Sequence, residues 1–238
     1  MTVTDRFAQR RWRARLQRLR PYLVVVAVLA VVAGLVWTVL ETSLLGAHHV
    51  DVRGASTVGA AAVREEAAVP AGRPLARLDV DAVQERVAAI PQVASVDVRR
   101  QWPRTVVVEV TERTPIARLA GRDDVRLLDT GGVVYPPAGK APRRLPSVEL
   151  AAGAGPRDAA LKEVAQAVSA MDAGLARKVR EVRVSSRDAI TLELRDGAEV
   201  AWGSADHADL KADVLAALLK QKATAYDVSA PERPTIVP

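Results

Sequence analysis

The three histidines have the most chemistry to offer in this chain, and their surroundings offer them little. His48 and His49 are adjacent, and His207 stands alone far downstream. A metal centre needs a set of His, Cys, Asp or Glu ligands at closing distance, and no such set flanks either place. His48-His49 reads as a linker or strand start, and His207 as a solvated residue in the first turn of a helix. The chain has no Cys, which removes thiolate nucleophiles, thiolate metal sites and disulfides. There is no Gly-Xaa-Ser-Xaa-Gly elbow, no HExxH pair and no glycine loop that would cradle phosphates. Adjacent acids such as Asp123-Asp124 read as a turn rather than as a general acid and base. The sequence therefore predicts no catalytic, cofactor-binding or metal-binding residues, and no cofactor.

What remains is binding, and the first question is where the charge sits. The formal net charge is +6 over 238 residues. Residues 1–20 hold seven Arg (Arg6, Arg10, Arg11, Arg13, Arg15, Arg18 and Arg20) and one acid, Asp5, so the remainder of the chain is neutral. A nucleic-acid-binding domain carries a basic face on its folded part; here the excess is on a short tail.

The tail precedes an uncharged run from Pro21 to Leu40, PYLVVVAVLAVVAGLVWTVL. At the rise of an α-helix such a run spans about 30 Å, the thickness of a bilayer core. Tyr22 and Trp37 lie near its two ends, where amphipathic rings favour the interface. No Lys or Arg follows between Glu41 and Val52. The positive-inside rule makes Arg11, Arg13, Arg15, Arg18 and Arg20 a topology signal. It predicts a single-pass type II (N-in) protein of the cell membrane with its bulk outside the cytoplasm. A cleavable signal peptide has a shorter apolar region and small residues before the cut, whereas Leu45-Gly46-Ala47 carries Leu. The tail is either a disordered topology signal or a short surface helix presenting Trp12, Leu16 and Leu19 to lipid.

Past the span, short elements follow in order. Val50 and Val52 alternate with Asp51 and Arg53, and Gly54 ends the run, which predicts a strand and a turn. Ser56 and Thr57 are N-cap types before an Ala-rich helix from Val58 to Ala68. Asp79 caps a second helix with Val80, Val83, Val87 and Ile90 on one face, and Pro91 stops it. Ala94, Val96 and Val98 alternate with polar residues as a strand with one dry face. After the turn at Gln101-Trp102-Pro103, Val106, Val108 and Val110 alternate with Thr105, Val107, Glu109 and Thr111, a second strand that pairs as a hairpin. Glu112 and Arg113 are placed to pair with nearby loop groups.

That β-α-α-β-β order resembles a POTRA domain. The matching residues are Gly54, Ile90, Pro91, Val93, Val96, Val98, Arg100, Trp102, Pro103, Thr105, Val108, Val110, Glu112, Arg113 and Pro115. Just outside a single N-in anchor, it is similar to the FtsQ/DivIB cell-division family. Arg-heavy, Lys-poor usage adds the look of a high-GC bacterium, an actinobacterium.

Residues 117–238 alternate differently. A hairpin is expected from Val125 and Leu127 through the Asp129-Thr130-Gly131-Gly132 turn to Val133-Val134-Tyr135. A Pro/Gly-rich loop spans residues 136–146. A helix from Arg157 to Met171 presents Leu161, Val164, Val168 and Met171. Val182 and Val184 form a strand, and Ile190, Leu192 and Leu194 another, which turns at Asp196-Gly197 into Val200 and Trp202. Gly203-Ser204 is expected to cap a last helix whose inner side is Leu210, Val214, Leu218 and Gln221. Ala225 to Ser229 and Thr235-Ile236-Val237 close the chain as strands.

This half resembles the β domain of the same family at Leu128-Asp129, Gly132-Val133-Val134, Trp202-Gly203, Lys211 and Tyr226-Asp227-Val228-Ser229. The expected class is α+β. It has a single N-terminal transmembrane helix, a POTRA domain (β-α-α-β-β) and a mixed β-rich domain with flanking helices. The boundaries are 1–20 basic cytoplasmic tail, 21–41 transmembrane helix, 46–116 POTRA domain and 117–238 β domain. The resemblance implies a non-enzymatic scaffold of the division septum that grips short bitopic partners of the FtsB and FtsL type. Strand addition to an edge is the physical route. The last strand is the natural edge, which makes Tyr226, Ser229, Ala230, Glu232, Thr235, Ile236 and Val237 the candidate partner-binding residues, and Pro231 and Pro234 suit an edge. A membrane-anchored POTRA-type chaperone or an envelope enzyme is the alternative. Tandem POTRA units or a polar constellation would mark those, and the sequence has neither.

Overall fold

The computed structural model describes residues 4–41, 45–120, 124–186 and 188–238, and Asp123 lies outside them. Helix α1 runs from Thr4 to Glu41 without a break at Pro21, so tail and span share one helix. Within this helix side chains are described from Arg20 to Thr38; those of Arg11, Arg13, Arg15, Arg18, Trp12, Leu16 and Leu19 lie outside the described ones. The stretch Arg20–Thr38 is long and apolar enough to cross a membrane. Its Val, Leu, Tyr and Trp side chains are exposed. Burying each such side chain is worth about 1.5–3 kcal/mol, and no protein surface covers them, so lipid is the solvent that suits this helix.

The chain divides into two compact units, one of residues 1–53, 63–87 and 97–109 and one of residues 54–62, 88–96 and 110–238. A three-stranded sheet has the order β1-β3-β2. It is built from β1 (His49–Arg53), β2 (Val93–Gln101) and β3 (Thr105–Glu112), with α2 (Ala60–Ala67) and α3 (Val80–Ala88) between β1 and β2 in the chain. β1 pairs parallel to β3, Val50 opposite Val106 and Val52 opposite Val108. The core of the first unit is Val63, Ala67, Leu75, Leu78, Val83, Val87, Val98, Val106, Val107 and Val108.

Two strand expectations change. Val107 is buried as fully as Val106 and Val108, although alternation puts it on the wet face. That face carries ion pairs: Arg99 lies 3.0 Å from Glu109 and 3.3 Å from Asp97, and Arg53 lies 2.7 Å from Asp51. Asp51 is the register partner of Val107 on that face. In β2, Val93 and Val98 are buried, Val96 is half-buried and Ala94 is exposed. Two buried residues five apart require the strand to change phase between them.

In the second unit a nine-stranded sheet has the order β12-β11-β10-β9-β8-β7-β4-β5-β6. Its strands are β4 (Pro115–Ala120), β5 (Val125–Asp129), β6 (Val134–Tyr135), β7 (Ser147–Leu150), β8 (Val179–Ser186), β9 (Ala189–Leu194), β10 (Glu199–Gly203), β11 (Ala225–Asp227) and β12 (Thr235–Val237). Three helices accompany it: α4 (Arg157–Ser169), α5 (Ala173–Lys178) and α6 (Ala208–Leu218). α4 buries Leu161, Val164 and Val168 as its period predicts, and β9 buries Ile190, Leu192 and Leu194. β7 and α5 are additions. β7 has four residues and lies parallel to β8, and α5 is capped by the Asp172 carboxylate 2.6 Å from the amide of Leu175.

The last helix starts later than Ser204, and its buried face is rotated from the expected one. Ser204 does not cap it; His207, exposed and at φ +55°, is the residue before Ala208. The buried residues are Ala208, Lys211, Ala212 and Leu215; of the expected inner side Val214 and Leu218 pack partly against the core, while Leu210 is 47% exposed and Gln221 is exposed. Apolar pattern alone assigns a Lys outward, and the inward turn of Lys211 shifts the stripe by one position.

Two consecutive residues at the end of β3 organise the surrounding loops. The Glu112 carboxylate accepts from Ser56 Oγ (2.9 Å), the amide of Thr57 (2.8 Å) and the amide of Val58 (2.9 Å), ahead of α2. Ser56 was the expected cap; it donates to the cap instead. Gly54, at φ +80°, lets this turn form, since a β-carbon there would lie 2.0 Å from the carbonyl oxygen of Val110. The Arg113 guanidinium lies 2.6 Å from Asp129 Oδ2 and donates to the carbonyl of Pro91 (3.0 Å).

Partial burial raises the Glu112 pKa, but the hydrogen bonds from Val58, Thr57 and Ser56 outweigh it and hold the carboxyl below its ordinary 4.5. A depressed carboxyl stabilises the fold fully above its unfolded pKa and loses that contribution as pH falls through the folded value. We expect Glu112→Gln to cost about 1 kcal/mol at neutral pH, the usual scale of a lost helix-entry cap. Thermal unfolding of the full chain in detergent micelles, at neutral pH and again well below the unfolded carboxylate value, checks this. The Tm gap between the two proteins narrows in acid; an equal gap at both pH values rejects the assignment.

Candidate functional site

The residues that could do chemistry stay apart. His48 Nδ1 lies 2.8 Å from the carbonyl of Gly46, a local loop contact, and His207 is exposed. Among the described residues no group of three or more His, Cys, Asp or Glu comes together to hold a metal. What the structure offers a partner is the end of the nine-stranded sheet.

β12 is that end. It pairs antiparallel with β11, Val237 opposite Ala225, Ile236 opposite Tyr226 and Thr235 opposite Asp227. Its other side has no strand among the described residues. Pro234 and Pro238 flank it, which limits the open edge to three residues, about 10 Å. The opposite end of the sheet, β6, has two residues and runs into Pro136-Pro137, which cannot donate to a further strand.

The expected partner residues divide by position. Thr235 and Val237 are exposed, Val237 at 58%, and Ile236 packs partly against the core. Ser229, Ala230 and Glu232 lie between β11 and β12 rather than in a strand. The backbone amide and Oγ of Ser229 both donate to Asp227 Oδ1, at 2.9 and 2.7 Å. Tyr226 is buried, and its hydroxyl donates to the carbonyl of Gln221 (2.8 Å) and accepts from the amide of Ala223 (3.2 Å). Tyr226 thus orders the loop before β11 from beneath. Thr224 ties down the other end, its amide donating to the carbonyl of Val237 at 2.8 Å.

Residues that sequence reasoning did not assign hold β11 in place. Trp202 is fully buried in β10. Lys211, 1% exposed, donates from Nζ to the carbonyl of Ser204 at 2.9 Å. Burial pushes its ammonium below the ordinary lysine range, and Asp206 acts in the opposite direction. Between them Gly203 sits at φ +77°, where an added β-carbon would lie 2.9 Å from Ser229 Cβ and 3.2 Å from its Cα. The Trp-Gly pair followed by a Lys-bearing helix is the sequence signal for this support, since neither a glycine nor a lysine there is explained by apolar period.

Known proteins resemble the chain over almost its full length. Residues 45–113 match the FtsQ-type POTRA domain, and residues 117–231 match the C-terminal region described as cell division protein FtsQ/DivIB. The cell division protein FtsQ of Streptomyces venezuelae is 36% identical over 229 residues, covering 92% of this chain and 84% of that protein. The cell division protein FtsQ of Mycolicibacterium smegmatis is 39% identical over 211 residues, 89% of this chain and 62% of that protein. A solved structure, the major extracytoplasmic domain of DivIB from Geobacillus stearothermophilus, aligns at 21% identity with a TM-score of 0.33, over 42% of this chain and 85% of that one.

The Gly203 contact gives a direct test of how the edge is held. Gly203→Ala adds a side chain at positive φ and against Ser229, so we expect a loss above about 1 kcal/mol. For a chain of this size that lowers Tm by at least about 2 °C. Adding Ser229→Gly removes the Cβ that the new methyl meets, and part of the loss returns. A single variant as stable as the parent, or no recovery in the pair, contradicts the packing described.

Proposed function

The chain belongs to the FtsQ/DivIB family of cell-division proteins, and on that premise we propose that it is a non-enzymatic bitopic scaffold of the division machinery. Its partners in this reading are short bitopic proteins of the FtsB and FtsL type, and its role is to assemble and regulate septal wall synthesis. The Arg block of residues 1–20 keeps the N-terminus in the cytoplasm. The POTRA domain of residues 46–116 and the β domain of residues 117–238 then stand outside, enriched at the septum.

One observation carries the binding half of this reading: the open outer side of β12, at the end of a sheet whose other end is closed by prolines. An extended partner segment would add as a tenth strand. Main-chain pairing over three residues supplies only a few hydrogen bonds, each worth about 0.5–1.5 kcal/mol net. Side-chain contacts with Thr235 and Val237 must therefore add to it.

The test is co-purification of the full chain, in detergent, with a co-expressed FtsB/FtsL-type pair. Val237→Glu changes an exposed side chain and leaves folding within about 0.5 kcal/mol of the parent. We expect it to reduce partner recovery by about tenfold or more, through a charge placed in a desolvated contact. Ile236→Asp, which also disturbs the core, has the same effect or a larger one. Full recovery with Val237→Glu at unchanged Tm rejects β12 as the edge. A fluorescent fusion spread evenly around dividing cells, with no midcell band before constriction, rejects the division role.

A further inference from the structure

At the start of β8, where the β9-β10 turn and the α6-β11 loop meet the end of α5, the chain leaves a concavity of about 590 Å³. Five cations line it, Arg177, Lys178, Arg195, Lys220 and Lys222, against one acid, Asp196. All five side chains belong to exposed residues. Arg177, Lys178, Lys220 and Lys222 make no ion pair among the described residues. Arg195 is occupied in building the site: Nε donates to the carbonyl of Arg177 (2.8 Å) and Nη2 to that of Arg144 (3.0 Å).

Those two bonds also shape a second hollow. A trough of about 380 Å³ is lined by Ile116, Leu145, Pro146, Met171 and Ala173, with Arg144 and Arg177 among its walls. Arg177 belongs to both hollows. A basic concavity thus adjoins an apolar one, and a single guanidinium fixes the segments that separate them.

Two cations of β8 are treated differently. Arg180 pairs with Glu193, and Arg183 lies 3.1 Å from Glu181 and 2.9 Å from Glu193. Arg180 and Arg183 are thus neutralised on the sheet, whereas Arg177, Lys178, Lys220 and Lys222 gather around one concavity without a carboxylate partner.

We propose that this surface binds an acidic peptide segment of a partner protein, its carboxylates against Arg177, Lys178, Lys220 and Lys222 and an apolar side chain in the trough behind Arg177. Charge complementarity selects the acid, and the adjoining apolar lining selects a peptide over a bare polyanion, which would leave the trough unfilled. The concavity reaches Thr224 and Tyr226 beside β12, but the proposal needs no strand added to the outer side of β12.

The probe is a fluorescein-labelled twelve-residue peptide of repeating Glu-Glu-Leu, titrated onto the full chain in detergent micelles and followed by anisotropy. Saturable binding is expected, weakening as salt rises. Lys220→Glu combined with Lys222→Glu raises Kd by about tenfold or more, and the neutral pair Lys220→Gln and Lys222→Gln raises it less. A Glu-Glu-Ser repeat binds more weakly than Glu-Glu-Leu. Arg157→Glu, an equally exposed cation elsewhere, leaves Kd within about twofold. The proposal fails if the Lys variants bind as the parent does, or if Arg157→Glu weakens binding as much as they do. It fails equally if inorganic polyphosphate or phosphatidylglycerol vesicles bind in a Lys220- and Lys222-dependent way while the Glu-Glu-Leu peptide does not.

Discussion

The second unit depends first on a charge that has to be buried. Asp129 is 5% exposed, and a carboxylate that far from water costs several kcal/mol unless its oxygens are partnered. Three groups meet that demand: the Arg113 guanidinium on Oδ2, and the amides of Gly131 and Val133 on Oδ1 at 2.9 and 2.8 Å. The turn between β5 and β6 is therefore wound around a carboxylate, and the carboxylate is tolerated because Arg113 neutralises it. Arg113 in turn is held by its own backbone, its amide donating to the carbonyl of Gln92 and its carbonyl accepting from the Tyr135 hydroxyl at 3.3 Å. Burial, with Asp129 nearby, pushes that phenol pKa up, so it stays protonated and available to donate. Pro91, Gln92, Arg113, Asp129 and Tyr135 form one linked set, in which Tyr135 alone belongs to the buried apolar residues.

That arrangement suits a chain with 3% aromatic residues and no cysteine. Val, Ala and Leu fill the core, with Trp202 the largest side chain among the fully buried. Small side chains make short strands and short helices adequate but give loops little to pack on. Side-chain hydrogen bonds to backbone do the ordering instead. Arg86 donates to the carbonyl of Ala67, Arg100 to that of Leu78 and Arg195 to those of Arg177 and Arg144. A guanidinium can reach two carbonyls at once, which a lysine cannot do with the same geometry.

The elements legible in the sequence are those whose apolar residues keep one period. α3, α4, β9 and the three residues of β12 fall where alternation or helical spacing places them, and Pro234 and Pro238 mark the ends of β12. What escaped had a non-local cause. β7 is four residues between parallel neighbours that only the folded sheet brings to it. α5 starts from Asp172 within a stretch too short for a period. The entry to α2 is capped by Glu112, more than fifty positions away. Lys211 and Val107 were read by residue type and pleat, and tertiary surroundings overrode both. At the candidate edge, the strand was legible and the burial of Tyr226 was not, because the loop it supports, Gln221 to Ala223, carries no pattern that asks for a buried hydroxyl.

The distribution of unpaired charge separates folding needs from binding needs. Like charges within a Debye length, about 8 Å at physiological salt, repel, and the compact state bears that cost. On the sheet face, glutamates offset it at Arg180 and Arg183. Around Arg177, Lys178, Lys220 and Lys222, which make no ion pair among the described residues, Asp196 is the one acid lining the concavity. Arg195 is the exception that explains the rest, since carbonyl oxygens at the end of α5 and in the loop at Arg144 satisfy it. Its work is to hold two cation-bearing segments together, against their mutual repulsion. Five cations against one acid leave a positive excess there, which the acidic segment proposed above would offset. A partner bringing carboxylates there would relieve repulsion as well as form ion pairs, which makes a crowded basic concavity a more selective acceptor than the same cations spread singly over the surface.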